Sequence, residues 1–124
     1  MNILICEDDP VIAMDLAWTL EELGHVVMGT VTSAVQCLTR CAISRPDLVT
    51  VDLTLTDGRT GLGLVDTLAQ LGIPSIIVSG EARLVPQPTR ARAVVEKPFN
   101  ERLVAWALAT VDAGPTATTR AGQG

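Results

Sequence analysis

The chain has 124 residues, 48% of them hydrophobic, which is enough to bury one sizeable core and too few for two ordinary domains. A formal net charge of −5 and a pI near 4.6 exclude an extended nucleic-acid footprint, because phosphate backbones are held by clustered Lys and Arg and no basic stripe occurs here. No apolar run approaches the roughly 20 residues that span a bilayer, and the stretch from Met1 to Asp9 reaches acid early without a basic leader, so a cytoplasmic protein without membrane contact is expected.

Short β-branched runs alternate with longer segments of helical character, the pattern of a parallel sheet covered on both faces. Residues 2–6 (NILIC) read as the first strand. Asp9 then caps a helix that begins at Pro10, carries Ile12, Leu16, Leu20 and Leu23 on one face, and stops at Gly24. Residues 26–31 form the second strand. Ser33 caps a second helix with Val35, Leu38, Ala42 and Ile43, which ends before Pro46 because the residue preceding proline is pushed out of helical geometry. Residues 48–52 (LVTVD) are the third strand, Asp57-Gly58 marks a turn, and 62–71 is a third helix ended by Gly72 and Pro74.

Residues 75–79 (SIIVS) are the fourth strand. The segment 81–92 is placed for a fourth helix, but Pro86 and Pro88 each remove a backbone donor, so a short or irregular element is expected. Residues 93–96 are the fifth strand, and 100–111 a final helix with Val104, Leu108 and Val111 inward. A single domain over 1–113 is expected, with a disordered tail at 114–124 that has nothing to bury. The fold class is therefore α/β, a doubly wound (βα)5 unit. Cys6, Cys37 and Cys41 are an odd set with no completing metal ligands nearby and read as small buried apolar groups.

In such sheets functional groups collect at the carboxyl ends of the strands. Glu7 and Asp8 follow the first strand, Asp52 closes the third, Ser79 the fourth, and Lys97 follows the fifth. Carboxylates drawn together repel one another unless protons or a cation compensate. A set of oxygen ligands without Cys or His favours Mg²⁺, which can orient a phosphoryl group beside a free carboxylate. Asp9 and Asp57 are read as a helix cap and a turn residue.

The strings ILICEDD, LVTVDLTLTDG, IIVSG and VVEKPF stand in an order and spacing that resembles the receiver domain of bacterial two-component response regulators, over residues 2 to about 112. The resemblance implies a flavodoxin-like three-layer sandwich with sheet order 2-1-3-4-5. It also implies that Asp52 accepts phosphate from a sensor histidine kinase or histidine phosphotransfer protein. Glu7, Asp8, Asp52 and the backbone carbonyl of Thr54 match the Mg²⁺ ligands, Lys97 the phosphoryl-contacting lysine, Ser79 the switch hydroxyl, and the Lys97-Pro98 peptide one that is typically cis.

Some positions depart from that pattern. Val94 stands where the family often has a switch Tyr or Phe, and the chain contains no Tyr. Thr56 replaces a common proline, and Gly61 falls one residue late, which implies a slightly longer loop after Asp52. Trp106 is expected at the surface of the last helix, where it suggests a partner or homodimer contact. Val11, Met14 and Trp18 form a second stripe on the first helix, beside the acidic pocket, suited to the phosphodonor. Output through a downstream protein target, as in single-domain regulators, is expected. Two other readings are a non-phosphorylated interaction module of the same fold and a haloacid-dehalogenase-like phosphatase; the latter needs a second Asp two residues after the nucleophile, where this chain has Thr54.

Overall fold

A computed structural model describes residues 1–112 and the pair 119–120. The elements run β1 (Asn2–Cys6), α1 (Pro10–Glu22), β2 (Val26–Val31), α2 (Ala34–Ile43), β3 (Leu48–Val51), α3 (Gly61–Gln70), β4 (Ser75–Ser79), a 3-10 turn (Ala82–Leu84), β5 (Ala93–Glu96), α4 (Glu101–Asp112) and β6 (Thr119–Arg120). The strands form one parallel sheet in the order β2-β1-β3-β4-β5-β6. The five-stranded order 2-1-3-4-5 and the flavodoxin-like α/β fold are thus present. β6 is an addition: two residues of the expected tail pair with Ala93 and Val94. The rest of that tail, and the boundary at residue 113, lie outside the described residues.

Alternation of side chains along each strand divides the interior into two cores. Ile3, Ile5, Leu48, Ile76 and Val78 pack with Leu16, Leu20, Val104 and Leu108 of α1 and α4. Leu4, Cys6, Val49, Val51, Ile77 and Val94 pack with Cys37, Cys41, Leu64 and Leu68 of α2 and α3. Because both faces are covered, β3 and β4 are buried at every position.

Local chemistry sets the helix starts. Asp9 Oδ1 accepts from the backbone N–H groups of Val11 and Ile12 at 2.9 and 3.3 Å, and Pro10 presets the first helical φ. Ser33 Oγ accepts from Gln36 N–H at 3.1 Å to cap α2. On α2 the inward positions belong to Cys37 and Cys41, with Leu38 half-buried against them, whereas Val35, Ala42 and Ile43 are exposed. The small thiols, behaving as the apolar groups expected of them, take the positions against the sheet.

Two further elements bear on the site. The segment after β4 holds one 3-10 turn, as the prolines require. On α4, Trp106 is half-buried against the α1/α4 core, so only part of the indole is displayed at the surface where a partner contact was expected. Helical side chains lean toward the N-terminus, and the indole is large enough to reach the core from a flanking position.

Candidate functional site

The five polar residues picked out at the strand ends do lie along one edge of the sheet. Carboxylate oxygens of Glu7, Asp8 and Asp52 are all within 4.8 Å of one another. Lys97 Nζ donates to Glu7 Oε1 and, at 3.1 Å, to Asp52 Oδ2. One ammonium thus bridges carboxylates from the ends of β1 and β3. Asp52 Oδ1 has no hydrogen-bond partner among the described residues.

Electrostatics follow from this packing. Glu7 is only 3% exposed, and its burial pushes the carboxyl up to about 7, against the lowering pull of Lys97 and of the Asp9 N–H and with a further upward push from Asp52. Burial alone would pull the Lys97 ammonium down, but its contacts with Glu7 and Asp52 outweigh that and hold it above the usual lysine value. The cluster holds three carboxylates for one lysine, so it has room for a further cation. Its donors are oxygens alone, which suits Mg²⁺.

Ser79 is buried at the end of β4, where its Oγ accepts from the Glu81 backbone N–H at 3.0 Å. Thr54 was singled out for its carbonyl; its hydroxyl donates to Glu81 Oε1 at 3.2 Å, and Glu81 Oε2 takes Arg59 Nη2 at 2.8 Å. The loops after β3 and β4 are therefore tied together beside the acceptor. Sequence reasoning missed this tie, since nothing in the spacing of Arg59 and Glu81 aligns two separate loops.

Gly61 explains how the loop after Asp52 closes. Its N–H donates to Leu53 O at 3.1 Å, and a Cβ there would stand 2.2 Å from Asp52 O and 2.6 Å from Leu53 Cα. Only glycine lets α3 start this close to the acceptor. Between them, Leu55 and Gly58 exchange backbone hydrogen bonds across the Asp57 turn. Asp57 also reaches over to α2, accepting from the N–H groups of Ala34 and Val35 at 3.2 and 3.3 Å, a cross-loop cap that turn chemistry alone does not reveal. The hydroxyl of Thr60, then these N–H groups, hold its carboxyl below the usual range.

Around the pocket, Val11, Met14 and Trp18 are 75%, 73% and 68% exposed along α1. A cavity of about 350 Å³ between α1 and the chain after β5 is lined by Ile12, Asp15, Lys97, Pro98 and Phe99. The Lys97-Pro98 peptide is cis, as the resemblance implied. Val94 is buried among the α2/α3 core residues, so no aromatic ring can swing from that position. Among the described residues no helix is long and apolar enough to cross a membrane.

Comparison with known proteins agrees with the geometry. Residues 3–108 match the response regulator receiver domain family. The chain is 37% identical over 102 residues to the phyllosphere-induced regulator PhyR of Methylorubrum extorquens, covering 79% of this chain but 38% of that protein, so it spans well under half of this relative. The solution structure of the Erythrobacter litoralis PhyR receiver domain superposes with a TM-score of 0.78 at 31% identity, covering 95% of this chain and 94% of that one. A crystal structure described as a sensor protein from Polaromonas sp. JS666 gives 0.80 at 35% identity, covering 90% and 96%. With its parallel sheet, its acidic cluster and its bridging lysine, this chain belongs to the response regulator receiver domain family, a phosphoacceptor signalling module rather than a catalytic enzyme.

Proposed function

We propose that the domain is a switch that accepts a phosphoryl group on Asp52 from a phosphohistidine of a sensor kinase or phosphotransfer protein in the cytoplasm, and signals by protein contact. The observation that carries this reading is the meeting of Glu7, Asp8 and Asp52 within 4.8 Å, with Lys97 bridging two of them.

Asp52 Oδ1, without a partner, is the oxygen available for in-line attack on phosphorus. As the new O–P bond forms, the N–P bond of the donor breaks and its electron pair returns to the imidazole nitrogen. Lys97 holds Asp52 through Oδ2, fixes its orientation and places positive charge where phosphoryl oxygens arrive. Ser79 Oγ accepts from Glu81 N–H and keeps its own proton to donate to a phosphoryl oxygen. Glu7, Asp8 and Asp52, with the carbonyl of Thr54, would hold Mg²⁺, which neutralises charge on the transferring group. The exposed α1 stripe and the adjoining cavity beside Lys97 suit the helical surface of the histidine donor.

Intact mass after incubation with Mg²⁺ and acetyl phosphate tests the reading. Wild type gains one phosphoryl group, while Asp52→Asn gains none and omission of Mg²⁺ suppresses uptake. A wild-type protein that stays unmodified under these conditions leaves only the non-phosphorylated interaction module.

A further inference from the structure

Beyond the site, the α3 side of the sheet edge is left partly open. The chain after β4 forms one 3-10 turn and then passes through Pro86 and Pro88 without making a helix. A groove remains between this segment and α3. One cavity of about 450 Å³ is lined by Leu62, Asp66, Pro86, Pro88 and Arg90 among others, and it meets at Leu62 a second of about 240 Å³ lined by Leu53, Arg59, Leu62 and Leu84. The floor is apolar, and Leu84 is 48% exposed.

In a chain whose net charge is −5, three of its nine basic residues are exposed at or beside the groove: Arg59 and Arg90 line it and Arg83 stands on the adjoining 3-10 turn, with Asp66 the one carboxylate in the lining. Arg59 is paired with Glu81, whereas Arg83 and Arg90 have no ion-pair or hydrogen-bond partner among the described residues. An apolar trough edged by unneutralised guanidinium groups complements a helix with apolar anchors on one face and carboxylates beside them. Single-stranded nucleic acid fits less well, because its bases stack on aromatic rings and the groove is lined by none.

The groove is also wired to the acceptor. Glu81 directly precedes the turn that carries Leu84; its N–H binds Ser79 Oγ, and its carboxylate binds both Thr54 and Arg59. A shift of Ser79 or Thr54 when Asp52 is modified therefore moves one wall of the groove. This route needs no aromatic ring at position 94.

We propose that this groove binds an acidic amphipathic helix of a downstream protein, and that phosphorylation of Asp52 changes its affinity through Glu81; the second half rests on the function proposed above. The test uses fluorescence anisotropy with a labelled synthetic helix bearing Leu at i, i+3 and i+7 among Glu residues, alongside the same peptide with Lys for Glu. The acidic peptide should bind about tenfold more tightly than the basic one and weaken with salt. Arg83→Glu combined with Arg90→Glu should lose about tenfold, as should Leu84→Asp, while Arg102→Glu on α4 stays like wild type; circular dichroism checks that each is folded.

Equal binding of the two peptides, unchanged binding by the folded double variant, or preference for a single-stranded RNA oligomer would overturn the groove. Concentration-dependent sedimentation that Leu84→Asp abolishes, without peptide binding, would assign the groove to a second copy of the chain and overturn the proposal as well. Acetyl phosphate with Mg²⁺ should change wild-type affinity about threefold or more and leave Asp52→Asn unaffected. A phosphorylated wild type with unchanged affinity defeats the coupling while the acceptor function stands; a wild type that takes no phosphoryl group defeats the function, and peptide binding alone then decides the groove.

Discussion

Replacing Gly61 by Ala probes the contact between the start of α3 and the acceptor. The new methyl would stand 2.2 Å from Asp52 O, 2.6 Å from Leu53 Cα and 2.9 Å from Leu53 O, all backbone atoms that no rotamer change can move. Restoring ordinary contact requires a displacement of about 1 Å between α3 and the chain bearing Asp52, with an overpacking cost of roughly 1–3 kcal/mol. Since Asp52 must lie in line with the phosphorus, a shift of that size slows phosphoryl uptake by up to ~10²-fold. Gly63, one turn-half further along α3, has nothing within 4 Å of an added Cβ. Gly63→Ala should instead stabilise the helix by about 0.5–1 kcal/mol and leave uptake unchanged. Urea unfolding followed by tryptophan fluorescence, together with timed intact mass in acetyl phosphate and Mg²⁺, measures both effects. A Gly61→Ala protein matching Gly63→Ala in midpoint and rate would refute the close approach.

Other expectations follow from single features. Thr50 Oγ1 is buried without a partner among the described residues, so Thr50→Val should raise stability by about 1 kcal/mol in urea unfolding; a loss would mean the hydroxyl is satisfied. Mg²⁺ at a hundredfold excess over its Kd should stabilise the fold by about 2.7 kcal/mol, seen as a rise in Tm. Asp8→Ala should lose most of that gain, and an equal rise in the variant would contradict its place in the cluster. Burial, then the neighbouring Cys37, pushes the Cys41 thiol up to about 12, and contact with Cys6 and burial push Cys37 higher still. At pH 8 these two thiols therefore stay protonated, and a thiol reagent should label them only as fast as the protein unfolds; prompt labelling of the folded protein would show them to be accessible.

Much of the fold was legible because the strands are continuous apolar runs closed by polar residues. The same polar residues, Glu7, Asp8, Asp52 and Lys97, could be placed at one edge because a parallel sheet puts all strand ends together. The burial of Cys37 and Cys41 was legible from their type, whereas the exposure of Val35 and Ile43 on the same helix was not, because both are large apolar residues whose side chains nonetheless face away from the sheet. That Trp106 is half-buried was not legible either, because helical angle ignores how far a large ring reaches. The tie from Thr54 through Glu81 to Arg59, and the reach of Asp57 to α2, depend on how separate loops lie against each other, which no local pattern encodes. The need for glycine at position 61 likewise comes from a tertiary approach, although its late position in the motif was visible.

The most direct measurement is to find the residue that carries phosphorus. Brief exposure to acetyl phosphate and Mg²⁺, followed by borohydride reduction and tandem mass spectrometry, converts an aspartyl phosphate to homoserine at the modified position. The account predicts conversion at Asp52 and at no other carboxylate. Conversion at Asp8 or Asp57 instead, or none at Asp52, would contradict it.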